Sequence, residues 1–279
     1  MTEKLTTLVK LCRPVNFIIT FISVIVASII CSQGTLPNQK IFLAAFVAAI
    51  VLASGNIYND ITDIEIDKIN RPDRPLPSGK IKSNEAYILY FFYTAIAVGC
   101  SFFLDSIASI IVLFSILLLI IYSKILKRIP ILGNFTIALL AGLVFIFGGV
   151  VVDNPAAAII PAVFAFLINL IREIVKDMED IDGDKKVGIK TFPIAFGYQK
   201  SKYLILILSF ILILFTLYPF ITKIYKIEYF VIVMVFVNSL IIYCLKILFQ
   251  DQSVKNLRKV SNLLKISMVI GLFAIYLGV

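Results

Sequence analysis

The sequence predicts an all-α fold, a polytopic membrane bundle of nine transmembrane helices. Of the 279 residues, 60% are hydrophobic and 15% are charged, and the mean hydropathy of +1.01 lies far outside the range of soluble globular proteins. Nine apolar stretches are long enough to span a bilayer. Basic residues concentrate in alternate loops, as they do in multi-pass membrane proteins.

The nine predicted spans follow one another without a Pro/Gly/Ser-rich linker or a long soluble segment, so one transmembrane domain over 1–279 is expected. They cover 15–33, 40–60, 85–103, 107–123, 133–152, 155–175, 203–221, 228–248 and 261–278.

The basic residues give the predicted orientation. Of the 26 lysines and arginines, all but Lys40, Lys223 and Lys226 precede the first span or lie in and around the connections after the even-numbered spans. Since translocation keeps such residues in the cytoplasm, we expect a cell-membrane protein whose N-terminus and active site are cytoplasmic. The net charge of +9 reflects this topology, and a nucleic-acid partner is disfavoured.

Two acidic clusters, at 59–67 and 176–184, carry the same aspartate spacing with an offset of 117 residues. They end the second and sixth predicted spans, which run in the same direction, so the sequence predicts two parallel four-helix repeats plus one further helix. The matching residues are Asp60, Asp63 and Asp67 in the first cluster and Asp177, Asp180 and Asp184 in the second.

The spacing of the clusters favours a metal site. On a continuous helix, Asn59, Asp63 and Asp67 would form one stripe of oxygen ligands. Carboxylates crowded at a membrane boundary repel one another, and Mg²⁺ with its preference for oxygen ligands would stabilise them. The predicted ligands of two Mg²⁺ ions are Asn59, Asp60, Asp63, Asp67, Asp177, Asp180 and Asp184.

Basic side chains near the clusters complete a predicted clamp for a polyanion, for which a diphosphate fits best. They are Lys68, Arg71, Arg74, Lys127, Arg128, Lys185 and Lys186. The alternative is that the clusters and basic residues belong to solvated cytoplasmic loops, but acidic residues contribute little to topology and the two spacings agree at three positions.

Four motifs together resemble the UbiA superfamily of intramembrane prenyltransferases over nearly the whole chain: NDxxDxxxD at 59–67, RPxRPLPSG from 71, YSxxLKR at 122–128 and DxxDxxxD at 177–184. The resemblance implies a UbiA-like bundle in which both Asp motifs bind Mg²⁺ and the diphosphate of an isoprenyl donor.

The resemblance also implies roles for individual residues in ionising the donor and binding the substrates. The catalytic candidates are Asp63, Asp67, Asp180, Asp184, Arg71 and Tyr122. The substrate-binding candidates are Asn59, Lys68, Arg74, Lys127, Arg128, Lys176 and Lys186. For Tyr122, a tyrosine of the interfacial belt is the alternative interpretation.

Within the superfamily, the segments 63–75 and 172–193 look most like the archaeal digeranylgeranylglyceryl phosphate synthases. These add a geranylgeranyl group to the free hydroxyl of geranylgeranylglyceryl phosphate. The resemblance implies geranylgeranyl diphosphate as donor and a lipid phosphate as acceptor, and the surplus basic residues, such as Lys186 and Lys190, would suit the acceptor phosphate.

Three other functions stay open at this point. An aromatic-acceptor prenyltransferase of quinone biosynthesis would use the same motifs. A CDP-alcohol phosphotransferase also binds Mg²⁺ with membrane aspartates, but its motif runs from AspGly to an AlaArg pair that is missing after Asp182 and Gly183. A transporter predicts charges at mid-span or inverted repeats of broken helices.

The cysteines give no sign of a zinc site. The four are dispersed, with no CxxC pair and no histidine in the chain, so a role as small apolar side chains is expected. Cys31 and Cys100 fall near the outer ends of their predicted spans, and nothing in the sequence supports a disulfide between them.

Overall fold

A computed structural model describes residues 2–34 and 36–279, and the described chain consists of helices joined by turns and loops, without β-strands. Its α-helices are α1 (Thr2–Leu11), α2 (Pro14–Cys31), α3 (Gln39–Thr62), α4 (Ile64–Asn70), α5 (Ser83–Ser101), α6 (Ser106–Lys124), α7 (Leu132–Val151), α8 (Ile159–Glu179), α9 (Ile181–Lys186), α10 (Phe192–Ile221), α11 (Ile227–Ile232), α12 (Ser239–Gln250) and α13 (Val254–Gly278). A π-helical stretch, Val233–Asn238, joins α11 to α12.

Eight helical segments of the described chain are long and apolar enough to cross a membrane, which confirms the prediction of a multi-pass bundle. They are α2, α3, α6, α7, α8 with the short 3₁₀ turn before it, α10, the continuous α11–α12 segment, and α13. Helix α5 forms where the third span was predicted, but Asn84, Glu85 and three tyrosines lower its hydropathy, and it is not among the eight.

The described helices pack around two large hydrophobic cores and two smaller ones. The two large cores divide the bundle. One core is formed by α2, α3, α5, α6 and α7, and the other by α7, α8 and α10 to α13, with side chains of α2 joining both. Close packing of α2 on α7 depends on Gly148, where a Cβ would overlap Ala27. Ser28 Oγ donates to the Gly148 carbonyl oxygen at 3.0 Å. Small residues of this kind bring membrane helices together.

Both acidic motifs break their helices at the middle aspartate. Helix α3 ends at Thr62, and Asp63 adopts φ −104°, ψ 10° before α4 begins. Helix α8 ends at Glu179, and Asp180 adopts φ −95°, ψ 8° before α9 begins. The expectation of one straight stripe through Asn59, Asp63 and Asp67 is therefore wrong. Aspartate is a weak helix former, and the tertiary contacts of its carboxylate favour the break.

The connection after the second motif is more helical than its sequence indicates. Helix α10 begins at Phe192, eleven residues before the predicted span at 203–221, with Pro193 in its first turn. Gly197 interrupts it with φ 85°, a left-handed value that glycine adopts without strain.

All four cysteines, including Cys31 and Cys100, are free thiols.

Candidate active site

In the first acidic motif, each aspartate contacts a basic side chain. Asp60 is buried and accepts from Arg13 at 2.5 Å and from Arg74 at 3.2 Å. Asp67, also buried, accepts from Arg74 at 2.5 Å. Asp63 pairs with the Lys127 ammonium. The three carboxylates are thus paired with Arg13, which precedes α2, with Arg74 in the loop after α4, and with Lys127 in the connection after α6.

Asn59 and Asp63 face each other across the last turn of α3. The Asn59 amide donates to Asp63 Oδ2 at 2.8 Å. Lys127 Nζ, which pairs with Asp63, also donates to Thr62 Oγ1 at 2.8 Å. These contacts fix the carboxylate of Asp63 at the point where the helix breaks.

The second motif uses partners from elsewhere in the chain. Arg71, which follows α4, donates through one nitrogen to both carboxylate oxygens of Asp180 at 2.8 and 3.0 Å. Asn134 donates to Asp177 Oδ2 at 2.8 Å. Asp184 is buried, and within the described residues no basic side chain forms an ion pair with it. Arg71 therefore connects the loop after α4 to the second motif.

A second connection between the motifs runs through Asn70, the last residue of α4. Its Nδ2 donates to the Asp180 carbonyl oxygen at 3.1 Å, and its Oδ1 accepts from the Gly183 backbone N–H at 3.1 Å. A Cβ at position 183 would overlap the Asn70 amide. The absence of a side chain at Gly183 thus allows α4 and α9 to lie against each other.

The electrostatics of the two motifs favour a cation. Burial, together with the negative charges of Asp180 and Asp63, raises the pKa of Asp184 to about 7. Burial also raises the pKa of Asp67, although Arg74 opposes the shift. The charge of Asp63 acts on both Asp67 and Asp184, so the two motifs form one electrostatic unit.

The donor set of this unit fits Mg²⁺. All the candidate ligands offer hard oxygen atoms, and Mg²⁺ takes one or two carboxylates with substrate oxygens and water in its remaining positions. Within the described part of the chain, no three carboxylates already converge at ligand distance, because they point toward arginine, lysine and asparagine. Asn59 and the six aspartates of the two motifs are the residues that would hold the ion.

A cavity of about 610 Å³ lies in the bundle beside the motifs; of the predicted metal ligands, Asn59 is in its wall and the six aspartates are not. Its polar wall includes predicted site residues that contact the motifs or lie beside them: Asn59, Arg71, Arg74, Tyr122 and Lys176. The rest of the wall is mostly apolar and comes from α2, α3, α6, α7, α8, α10, α11 and α13 and the π-helical stretch, including Leu52, Ile137, Leu140, Phe164 and Leu272. A polar entrance that continues into an apolar interior suits a molecule with an anionic head and a hydrocarbon tail.

Three predicted substrate-binding residues lie elsewhere. Lys68, Arg128 and Lys186 are exposed and are not part of the cavity wall. Lys68 pairs with Glu65 at 2.7 Å on the outer side of α4. Their proposed roles therefore have no support from the cavity.

Sequence reasoning missed a second group of polar cavity residues. Arg13, Asn16, Arg172, Glu173 and Lys265 all line the cavity. A signal was present in the sequence, because Arg172, Glu173 and Lys265 lie inside apolar spans predicted at 155–175 and 261–278. Ionisable residues inside membrane spans are costly and commonly functional.

The sequence matches the model of the UbiA prenyltransferase family over residues 20–269. It is 40% identical over 280 residues to a digeranylgeranylglyceryl phosphate synthase of Methanocaldococcus jannaschii, a match that covers 99% of this chain and 97% of the relative.

Solved structures agree with this relationship. One, described as giving structural and mechanistic insights into the biosynthesis of digeranylgeranylglyceryl phosphate synthase in membranes, has a TM-score of 0.77 and 39% identity, and the match covers 99% of this chain and 98% of the other. A UbiA homolog from Archaeoglobus fulgidus bound to GPP and Mg²⁺ has a TM-score of 0.65 at 20% identity, covering 96% and 99%, and shows the same fold. The protein described here belongs to the UbiA prenyltransferase family.

Proposed function

We propose that this protein transfers the geranylgeranyl group of geranylgeranyl diphosphate to the free hydroxyl of geranylgeranylglyceryl phosphate, forming an archaeal ether lipid precursor and releasing diphosphate. The observation that carries the proposal is that Arg71 and Arg74 pair with aspartates of the two motifs and also line a largely apolar cavity. The full-length similarity to a digeranylgeranylglyceryl phosphate synthase supports this choice of acceptor.

The metal site would be built from Asn59, Asp60, Asp63 and Asp67 of the first motif and Asp177, Asp180 and Asp184 of the second. Two Mg²⁺ ions, one near each motif, would offset the negative charge of the aspartates and of the diphosphate. The similarity to a UbiA homolog bound to GPP and Mg²⁺ supports Mg²⁺ as the cofactor. When bound, the metal supplies stabilisation of the charge that develops on the leaving diphosphate.

The basic residues bind and orient the donor. Arg71 and Arg74 line the cavity while they pair with the aspartates, so each guanidinium is already placed to exchange a carboxylate for a phosphate oxygen. Lys127 makes the same exchange at Asp63. These contacts hold the diphosphate while the bond between its oxygen and C1 of the prenyl group breaks, and the bonding electrons leave with the diphosphate.

The apolar wall governs the fate of the allylic cation. The hydroxyl oxygen of the acceptor forms a new bond to C1, and its proton passes to an oxygen of the departing diphosphate, which yields the ether. Leu52 and Ile137 belong to a wall that houses the prenyl tail and excludes water, which would otherwise capture the cation. The ring of Tyr122, also in the cavity wall, is placed to stabilise positive charge through its π-face.

In this proposal the chain is one transmembrane domain, with nine spans, a cytoplasmic N-terminus and the active site at the cytoplasmic face. The distribution of lysines and arginines supports the orientation. Helices α3 and α8 both end at the middle aspartate of their motif, Asp63 and Asp180, and this likeness supports two parallel repeats of four helices, followed by a ninth helix.

The experiment that tests the acceptor uses purified protein in detergent with geranylgeranyl diphosphate and Mg²⁺. One reaction receives geranylgeranylglyceryl phosphate and the other a hydroxybenzoate, and lipid products are identified by mass spectrometry. We expect an ether product from the lipid phosphate. Product from the aromatic acid alone would assign the protein to quinone biosynthesis instead. Diphosphate release in detergent, without a vesicle gradient, distinguishes either enzyme from a transporter.

A further inference from the structure

Five polar residues form a cluster deeper in the cavity, which we call the Arg172 cluster: Asn16, Arg172, Glu173, Lys176 and Lys265. All five line the cavity. Glu173 is buried and accepts from Arg172 at 3.2 Å and from Lys176 at 2.8 and 2.9 Å. Lys265 reaches across from α13 and donates to the Asn16 side-chain oxygen.

The Arg172 cluster carries an excess of positive charge. Three cationic side chains, Arg172, Lys176 and Lys265, face one carboxylate, Glu173, which leaves a net charge of +2. Among the described residues, Lys265 forms no ion pair, and the partner of its ammonium is a neutral amide. Buried charges are normally paired, so this excess in a membrane protein indicates an anionic ligand with about two negative charges.

Unused hydrogen-bond donors point to the same ligand. The Arg172 guanidinium has five N–H groups, of which one bonds the Ser261 carbonyl oxygen at 3.3 Å and one bonds Glu173. Three therefore remain. The Lys265 ammonium has three N–H groups and uses one on Asn16. Together these two side chains offer five further donors to a ligand in the cavity.

The position of the cluster separates it from the diphosphate site. Arg172 and Lys176 lie on α8, Asp180 follows its last residue, and the three are spaced four residues apart, so that each interval advances roughly 6 Å along the helix axis. Arg172 thus lies roughly 12 Å deeper in the bundle than Asp180. An anion held by Arg172 and Lys265 would therefore be a second anion in the same cavity. The separation of roughly 12 Å along the helix would leave space for a small alcohol between this anion and the donor diphosphate.

We propose that Arg172 and Lys265, assisted by Lys176, bind the phosphate of the lipid acceptor. This inference rests on the proposed function. A phosphate monoester carries a charge of about −1.5 to −2 at neutral pH and three strong acceptor oxygens, which match the charge and donors of the cluster. An aromatic carboxylate would bring a single charge and leave one cation unpaired. The exposed Lys186 and Lys190, which the sequence suggested for this phosphate, lie outside the cavity.

The test compares two acceptors that differ in the phosphate alone: geranylgeranylglyceryl phosphate and geranylgeranylglycerol. In the wild type, kcat/KM should favour the phosphorylated lipid. In Lys265→Met this preference should fall by about tenfold or more, the order of a lost charge-assisted hydrogen bond, while the KM for geranylgeranyl diphosphate is unchanged. If the alcohol is not turned over, its inhibition constant against the phosphorylated lipid replaces kcat/KM.

The control is Lys259→Met, which removes an exposed lysine from the same helix, α13, outside the cavity. It should keep the wild-type preference. Arg172→Gln provides a second variant and should also reduce the preference, since Lys176 still pairs with Glu173. A purely structural role would lower the rates with both acceptors equally and leave their ratio unchanged.

The outcomes separate the two proposals. If the wild type converts the phosphorylated lipid but Lys265→Met and Arg172→Gln keep the full preference for it, the acceptor site is elsewhere and this inference is overturned. If the wild type does not convert the phosphorylated lipid at all, the proposed function itself fails.

Discussion

The side chain of Asn70 accepts a hydrogen bond from the backbone N–H of Gly183 at 3.1 Å, and this contact joins the two short helices that contain the ends of the two aspartate motifs. The same amide donates to the Asp180 carbonyl oxygen. The two motifs therefore meet through the Asn70 side chain and the backbone of the second motif, as well as through the Arg71–Asp180 ion pair. Their relative position depends on a residue without a side chain.

We expect Gly183→Ala to reduce turnover by roughly 10- to 100-fold, because the added methyl group displaces Asn70 and shifts the two motifs relative to each other. Gly99→Ala is the matched control. Gly99 lies in α5 with open space around its Cα, so this change should leave turnover unchanged. Steady-state rates of both variants check the prediction, and wild-type rates in Gly183→Ala would contradict it.

Asp180→Ala should abolish measurable turnover and leave the protein folded. The change removes an oxygen ligand from the proposed metal site and frees Arg71 from its carboxylate partner. The control is Asp182→Ala, which removes an exposed carboxylate two residues away on α9. Size-exclusion chromatography reports folding, and equal activities of the two variants would argue against a metal role for Asp180.

The need for Mg²⁺ should depend on pH around neutrality. Burial raises the pKa of Asp184 to about 7, so in the metal-free protein this carboxyl is neutral below pH 7 and charged above it. A proton therefore competes with the metal at low pH, and the Mg²⁺ concentration for half-maximal rate should be higher at pH 6 than at pH 8.

Rates measured over a range of Mg²⁺ concentrations at both pH values test this prediction. In Asp184→Asn the titrating carboxyl is gone, so the dependence on pH should weaken. An identical Mg²⁺ requirement at pH 6 and pH 8 in the wild type would mean that Asp184 takes no part in binding the metal.

Removal of the metal by EDTA should stop turnover without unfolding the protein. Asp60 and Asp67 pair with Arg74, and Asp63 pairs with Lys127, so the carboxylates have counter-charges from the protein itself. Added Mg²⁺ should restore the rate, and the thermal unfolding temperature should change little. Irreversible loss of activity, or unfolding on chelation, would show that the metal is part of the fold.

The fold and the site differed in how well the sequence predicted them. Apolar length located the helices well, as for α6, predicted at 107–123 and found at Ser106–Lys124, because burial in lipid requires that composition. The breaks at Asp63 and Asp180 were missed because neither position carries a glycine or proline. Spacings of four residues fit a continuous helix, and contacts with Lys127 and Arg71, distant in sequence, accompany the break.

Contacts between residues distant in sequence also explain why the sequence did not predict part of the site. The motifs predicted the aspartates and the arginines after α4, whose partners lie in the motifs themselves. The grouping of Arg172 with Lys265 and Asn16 depends on the packing of α8, α13 and α2, which no local pattern encodes. Charged residues within apolar spans would have identified the first two as candidates.

In the proposed function, the arginine and lysine partners of the aspartates would make the site an ion exchanger. Arg71 would leave Asp180 for a phosphate oxygen of the donor, and the aspartates would take the metal as their new positive partner, so opposite charges would stay paired. After diphosphate departs, Arg71 would return to Asp180. Each catalytic cycle would then begin and end without an unbalanced charge at the edge of the membrane.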